Sequence, residues 1–302
     1  MSKEAVEKRF IFHGNAVALA AHIRRPRDFF IPAVASSCLP VTGGLAEANS
    51  AGQSFDIISY DSASTKALGD FTDAERAAEF TRGNHGENEL PTRTVVESAV
   101  KGFKIQAPGT AAGDSEKRRI FLAEDLQTQM ESTSYRRGAT EFRSLRVAIE
   151  GVSVDGYALK IGTDTELFTR NDTKEKLRKA YAEDRQFRKR YGKQFYSAGE
   201  SSNAWLDWLF GAAKRIPQGK GLICATVVTT IQWEGKAAPG TQIKGNRLIV
   251  DGLGSIYFGE ILIEEELRRL TLIRFQLGSP DGGDGSVCET STNGHSWPPR
   301  VA

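Results

Sequence analysis

Leu145-Arg146-Val147-Ala148-Ile149-Glu150, followed by the turn Asp155-Gly156 and the segment Tyr157 to Ile161, reads as one arm of a β-hairpin, its turn and its return. Leu145, Val147 and Ile149 alternate with Arg146, Ala148 and Glu150, so one face is buried and the other wet. Asp-Gly is among the turns that match the twist of paired strands. This unit sets the fold class, and the same signals recur on either side of it.

Toward the C-terminus, Leu222 to Trp233 reads as a long strand. Asn246 to Val250 and Ser255 to Ile263 pair through Asp251-Gly252, and Gly252-Leu253-Gly254 fits that hairpin rather than a nucleotide-binding loop. Glu264-Glu265-Glu266 forms a charged hairpin tip. Arg269 to Leu277 returns from it, with Thr271, Ile273, Phe275 and Leu277 on one face. The tail from Gly278 to Ala302 is rich in Gly, Ser and Pro and is expected to be loose. Toward the N-terminus, Phe10 to Ile23 and Phe29 to Leu39 are apolar strand runs, the second closed by Pro40 and the turn Thr42-Gly43-Gly44. Phe55 to Tyr60 is a short strand and Thr92 to Ile105 a β-branched one. Arg119 to Tyr135 fits a helix about as well as a strand, and its neighbours argue for a strand.

Three segments carry helical signals. Thr72 to Arg82 opens on a Thr72/Glu75 capping box. Thr173 to Phe195 is expected as one helix, capped by Asn171 or Asp172, with Leu177, Tyr181, Phe187, Tyr191 and Phe195 near one face. Ala204 to Ala213 is apolar nearly all round. The expected fold is therefore mainly β, an antiparallel β-sandwich or barrel-like sheets with a two-helix insertion. The expected division is an N-terminal β lobe over 1–170, a helical segment over 171–215 and a C-terminal β lobe over 216–302, with one continuous domain as the alternative.

Composition narrows the function classes. The chain has 302 residues, enough to bury a large core, with 40 Lys plus Arg against 38 Asp plus Glu. A formal net charge of +2 gives no general case for a nucleic-acid binder. Cys38, Cys224 and Cys288 are odd in number and have no metal-ligand spacing, which fits reduced thiols in a reducing compartment. No run is long enough for a membrane helix, and the charged Met1 to Arg9 does not resemble a signal peptide. A cytoplasmic location is expected; export by a route without an N-terminal signal stays open.

The serine elbow, the zinc helix H-E-x-x-H, the phosphate loop and the dinucleotide fingerprint are all absent from the sequence. His13 and His22 sit nine residues apart in one strand region and would meet only if the chain folded back. Asp281 to Gly285 lacks the further ligands a calcium loop needs. Arg185, Arg188, Lys189, Arg190 and Lys193 alternate with aromatics as a solvated face over a buried stripe; a stacking surface for single-stranded nucleic acid is the alternative. No catalytic residue, cofactor or metal site is implied. Trp205, Trp208, Leu209 and Phe210 are the candidate partner-contact residues, since a helix apolar all round is buried in the fold, in a protomer contact or at a membrane surface.

Residues 35–44 (ASSCLPVTGG), 142–151 (FRSLRVAIEG), 254–260 (GSIYFGE) and 268–278 (RRLTLIRFQLG) together resemble a family of uncharacterised bacterial β-rich proteins of similar length. The resemblance implies a β fold and brings no activity, cofactor or catalytic residue. The expected function is a non-enzymatic structural or interaction protein that acts by self-assembly or partner binding. The alternatives are an enzyme or ligand-binding protein with a site assembled from distant residues, and a membrane-surface protein.

Overall fold

The computed structural model describes residues 9–25, 27–71, 92–107, 119–134, 140–191, 194–195, 223–263, 267–278 and 282–297. In chain order the strands are β1 (Arg9–Arg25), β2 (Phe29–Cys38), β3 (Gly44–Phe55), β4 (Ile58–Phe71), β5 (Thr92–Ala107), β6 (Arg119–Ser134), β7 (Glu141–Glu150), β8 (Val152–Val154) and β9 (Tyr157–Thr163). Helices α1 (Glu166–Arg170), α2 (Lys174–Glu183) and α3 (Arg185–Tyr191) follow. Then come β10 (Ile223–Thr226), β11 (Val228–Trp233), β12 (Thr241–Lys244), β13 (Arg247–Val250), β14 (Gly254–Ile263), β15 (Arg268–Leu277) and β16 (Gly282–Trp297).

They form two eight-stranded sheets packed as a sandwich, and neither closes into a barrel. The first runs β12-β13-β14-β15-β16-β1-β2 with β10 also on β14; the second runs β11-β9-β8-β6-β5-β4-β3 with β7 also on β6. Every pairing among the described strands is antiparallel. The first sheet draws on both ends of the chain, because β1 lies between β16 and β2.

The long strands change the face they bury midway. In β5, Thr92, Thr94, Val96, Ser98 and Val100 point inward, but beyond Gly102 the inward residues are Phe103, Ile105 and Ala107. A residue in the left-handed region resets the alternation by one position, and Gly102 stands at φ +63°. Neighbouring strands make the same change in line, so register is kept while the ladder skips one pair, or two between β4 and β5. In the second sheet the skipped row runs through Gly52, Asp61, Gly102 and Glu124. In the first it runs through Ala18, Cys288, Leu272 and Gly259, with Ala35 (φ +43°) of β2 beside Ala18. Cys288 (φ +51°) and Gly259 (φ +61°) are left-handed there as well.

The two rows face one another. Cys288 Sγ donates to the carbonyl of Leu126 at 3.4 Å, across the sandwich from its own sheet. On one side of the rows the interior is aromatic: Phe103 packs on Phe121 and Phe275, with centroids 6.4 and 6.1 Å apart, and Phe121 on Phe258 at 6.1 Å. On the other side, hydroxyls join the sheets. Ser132 Oγ lies 2.8 Å from Thr292 Oγ1, and Ser98 Oγ donates to the Val17 carbonyl at 3.2 Å. Buried hydroxyls need such partners, and small side chains let the sheets approach closely enough to supply them.

Arg268 at the start of β15 is almost fully buried. Its guanidinium donates to the carbonyls of Phe168 (3.2 Å) and Asn171 (3.0 Å), which the end of α1 leaves without helical partners, and lies 4.0 Å above the Phe142 ring. Burial pulls its pKa down to about 9, against the opposing pull of Asp172. One side chain thus ties the first sheet, β7 of the second and the helical segment together.

Several sequence expectations change. Residues 282–297 of the tail are not loose: they form β16, an interior strand paired with both β1 and β15, and Gly282 to Gly285 belong to it rather than to a loop. The segment Thr173 to Phe195 is not one helix. Asp184 adopts extended backbone between α2 and α3, and its Oδ1 accepts from the N–H of Gln186 (2.7 Å) and Phe187 (3.1 Å), capping α3. The cap of α2 is Thr173, which accepts from Lys176 N, and not Asn171 or Asp172. Residues 222–233 do not make one strand, because the chain passes from the first sheet to the second at Val227. Thr271 faces the opposite way from Ile273 and Phe275, since β15 changes face at Leu272. The strand β3 had no counterpart in the sequence reading, whereas β6 is the strand its neighbours argued for.

Three outcomes test this packing. Gly102→Ala places a Cβ in the left-handed region and against the Asp61 carboxylate, and should destabilise the fold by about 2 kcal/mol in urea titration. Arg268→Ala strips charged partners from two buried carbonyls and should lower stability by about 3 kcal/mol or more, with Arg268→Lys failing to restore it because an ammonium cannot span both. Burial pushes the Cys288 thiol up to about 12. The unfolded thiol loses its proton first, so the contribution is present below about pH 9 and fades as pH rises above it, by at most about 1.4 kcal/mol per pH unit. Cys288→Ala should flatten that alkaline slope in pH-dependent urea midpoints.

Candidate interaction surface

The strand β3 is the outer strand of the second sheet and pairs with β4 from Gly44↔Gly69 to Phe55↔Ile58. Among the described residues no strand pairs with its other side. Its sequence, GLAEANSAGQSF, contains one charge, Glu47, and no Pro, Lys or Arg. Edge strands usually carry such residues, or a bulge, because open N–H and C=O groups otherwise template pairing with another chain. The other margins have these features. In β2, Pro32 lies within the strand and a register shift falls between Leu19 and Ala21 on its partner. In β11 the register shifts between Val228 and Thr230, and β12 has only four residues. The free side of β7 meets the helical segment, where Phe142 N–H donates to the Asp172 carbonyl at 3.1 Å.

Among the described residues three large apolar side chains are exposed, and two of them, Val41 and Leu45, lie at the start of β3, while Phe30 stacks on His22 at the outer face of the first sheet. Phe30 in β2 is 73% exposed, Val41 in the β2–β3 connection 64% and Leu45 in β3 56%. Beside the edge, a groove of about 560 Å³ crosses the outer face of β3 to β7. Its polar side chains pair across the strands: Glu47 and Lys66 lie 3.1 Å apart, and the Gln129 amide donates to Glu97 at 2.9 Å. Asn49, Ser64 and Ala99 form the low ground between the longer side chains.

A second groove, of about 750 Å³, crosses the outer face of the first sheet. Arg274 is held by both Glu260 oxygens (2.5 and 2.8 Å) and lies 3.7 Å over the Tyr257 ring. Arg269 pairs with Glu289 at 2.7 Å and Arg24 with Asp284 at 2.9 Å. Burial, with Glu260 nearby, pushes the Cys224 thiol up and away from the reactive thiolate.

The sequence candidates fall as follows. Trp205, Trp208, Leu209 and Phe210 lie outside the described residues, as do the Thr72 to Arg82 segment and Glu264 to Glu266. His13 and His22 do not meet: His13 lies 3.1 Å from Asn15, while His22 lies 2.6 Å from Asp28 and stacks on Phe30. Phe187, Tyr191 and Phe195 are buried, with Lys189 and Arg190 exposed, so the aromatics form the interior stripe. Among the described residues no group of three or more His, Cys, Asp and Glu is placed to hold a metal ion, and no helix is long and apolar enough to cross a membrane. Strand β3 is nearly silent in the sequence because Gly, Ala and Ser carry almost no strand signal; the absence of charge over 48–55 is its one mark.

These features define a two-sheet antiparallel β-sandwich in which, among the described residues, nothing pairs with the outer side of β3. The chain belongs to the family described as a domain of unknown function, DUF8256, whose model matches residues 10–264. No curated protein and no solved structure matches it.

With Cys38 exposed, Cys224 half-buried and Cys288 buried, a thiol-specific reagent should label Cys38 rapidly, Cys224 slowly and Cys288 only on unfolding. Mass spectrometry after timed labelling reads the order.

Proposed function

We propose that this chain is a non-enzymatic interaction protein that works by self-assembly, through the open edge of the second sheet. The observation that carries the reading is β3, a twelve-residue edge strand with one charge and no blocking residue. Leu45 and Val41 at one end add apolar surface that association would cover. A closed two-fold pairing is the simplest assembly, because an antiparallel strand can pair with its own copy. Three unpaired thiols suit a reducing compartment, and the reading places the assembly in the cytoplasm.

Size-exclusion chromatography with light scattering over a concentration series is the test. Wild type should show a mass rising toward the dimer. Ala51→Lys should hold the chain at monomer mass with an unchanged thermal midpoint, since the substitution adds an edge charge without touching the core. A wild type that stays monomeric at every concentration would overturn the reading.

A further inference from the structure

Resting on that reading, we infer that a second copy of this chain pairs antiparallel with β3 over residues 44–52 alone, about a two-fold axis at Ala48. The change of face at Gly52 carries the argument. Before Gly52, Leu45, Glu47 and Asn49 point outward, while Ala46, Ala48 and Ser50 point toward the second sheet's inner side. After it the parity reverses. Phe55 packs against the core and lies 6.4 Å from the inward Tyr60, and Gln53 Nε2 reaches Ser50 Oγ at 3.4 Å.

Paired strands must present residues directly opposite one another on the same face. A copy centred on Asn49 would set outward Leu45 against inward Gln53, and one centred on Ser50 would set it against inward Phe55. Centring on Ala48 keeps both strands on the near side of Gly52. Gly44 then opposes Gly52 of the second copy, Leu45 opposes Ala51, Ala46 opposes Ser50 and Glu47 opposes Asn49. No like charges meet, and the small side chains at the axis leave room for the approach. The same device that shapes the interior thus sets how far the edge can extend, and Gly52 ends the pairing before the Phe55–Ile58 turn.

Cysteine cross-linking reads this register in the full-length chain with Cys38→Ser as background. Ala48→Cys should double in mass on a non-reducing gel after mild oxidation, because the residue faces its own copy across the axis at a separation a disulfide can span. Ala46→Cys and Ser50→Cys should each remain single alone and cross-link when mixed. If light scattering shows a dimer while Asn49→Cys or Ser50→Cys cross-links alone and Ala48→Cys does not, the register is wrong and self-assembly stands. If every variant and the parent stay monomeric, both the register and the self-assembly reading fail.

Discussion

A strand buries alternate residues, and a single left-handed residue reverses which ones. In this protein the buried parity reverses in the long strands of both sheets, in rows that face one another across the interior, with left-handed residues at Ala35, Gly102, Gly259 and Cys288. The rest of the structure follows from this constraint. The strands can run to sixteen or seventeen residues while the sheets stay in register, because each reversal is matched by its neighbours. Cys288 sits where the two rows meet, with its thiol bonded across to the Leu126 carbonyl and its backbone at φ +51°. A side-chain-bearing residue holds that conformation only when its surroundings fix it.

The reversal divides the interior chemically. On one side large aromatics fill the space between the sheets. On the other, hydroxyl pairs such as Ser132 and Thr292 link them at hydrogen-bond distance. Arg268 closes the hydroxyl-lined half by capping the end of α1 from inside the core. It is a buried cation held by carbonyls and a ring face, which makes its position specific as well as costly to lose. The same reversal reaches the edge of the second sheet at Gly52, so the packing of the core and the reach of the outer strand share one cause.

This also explains what was legible in the sequence. The turns Asp155-Gly156 and Asp251-Gly252 could be read from their residues, but the arm opposite Tyr157–Thr163 is Val152–Val154, while Leu145–Glu150 pairs with β6 instead of forming the hairpin the sequence suggests. Thr271 was assigned to the wrong face because period-2 reasoning continues unbroken through Leu272, where the strand itself reverses. The strand β16 was hidden by its Gly and Ser content, although its place between β1 and β15 supplies the pairing that its own propensity does not. The break in the segment Thr173 to Phe195 leaves no mark on the helical spacing, and only the capping bonds to Asp184 reveal it. The β3 edge was the least legible part, because its residues carry almost no strand signal of their own. Trp205, Trp208, Leu209 and Phe210, to which the sequence draws attention, lie outside the described residues.

Native-state amide hydrogen exchange tests the central claim most directly, that the matched reversals join the two halves of the sandwich into one cooperative unit. The account predicts that amides of β5 on both sides of Gly102, at Val96 and Val100 as at Phe103 and Ile105, exchange with the same slowest free energy, together with those of β1 flanking Ala18. Protection that steps down across that row, leaving one half to open well before the other, would contradict it.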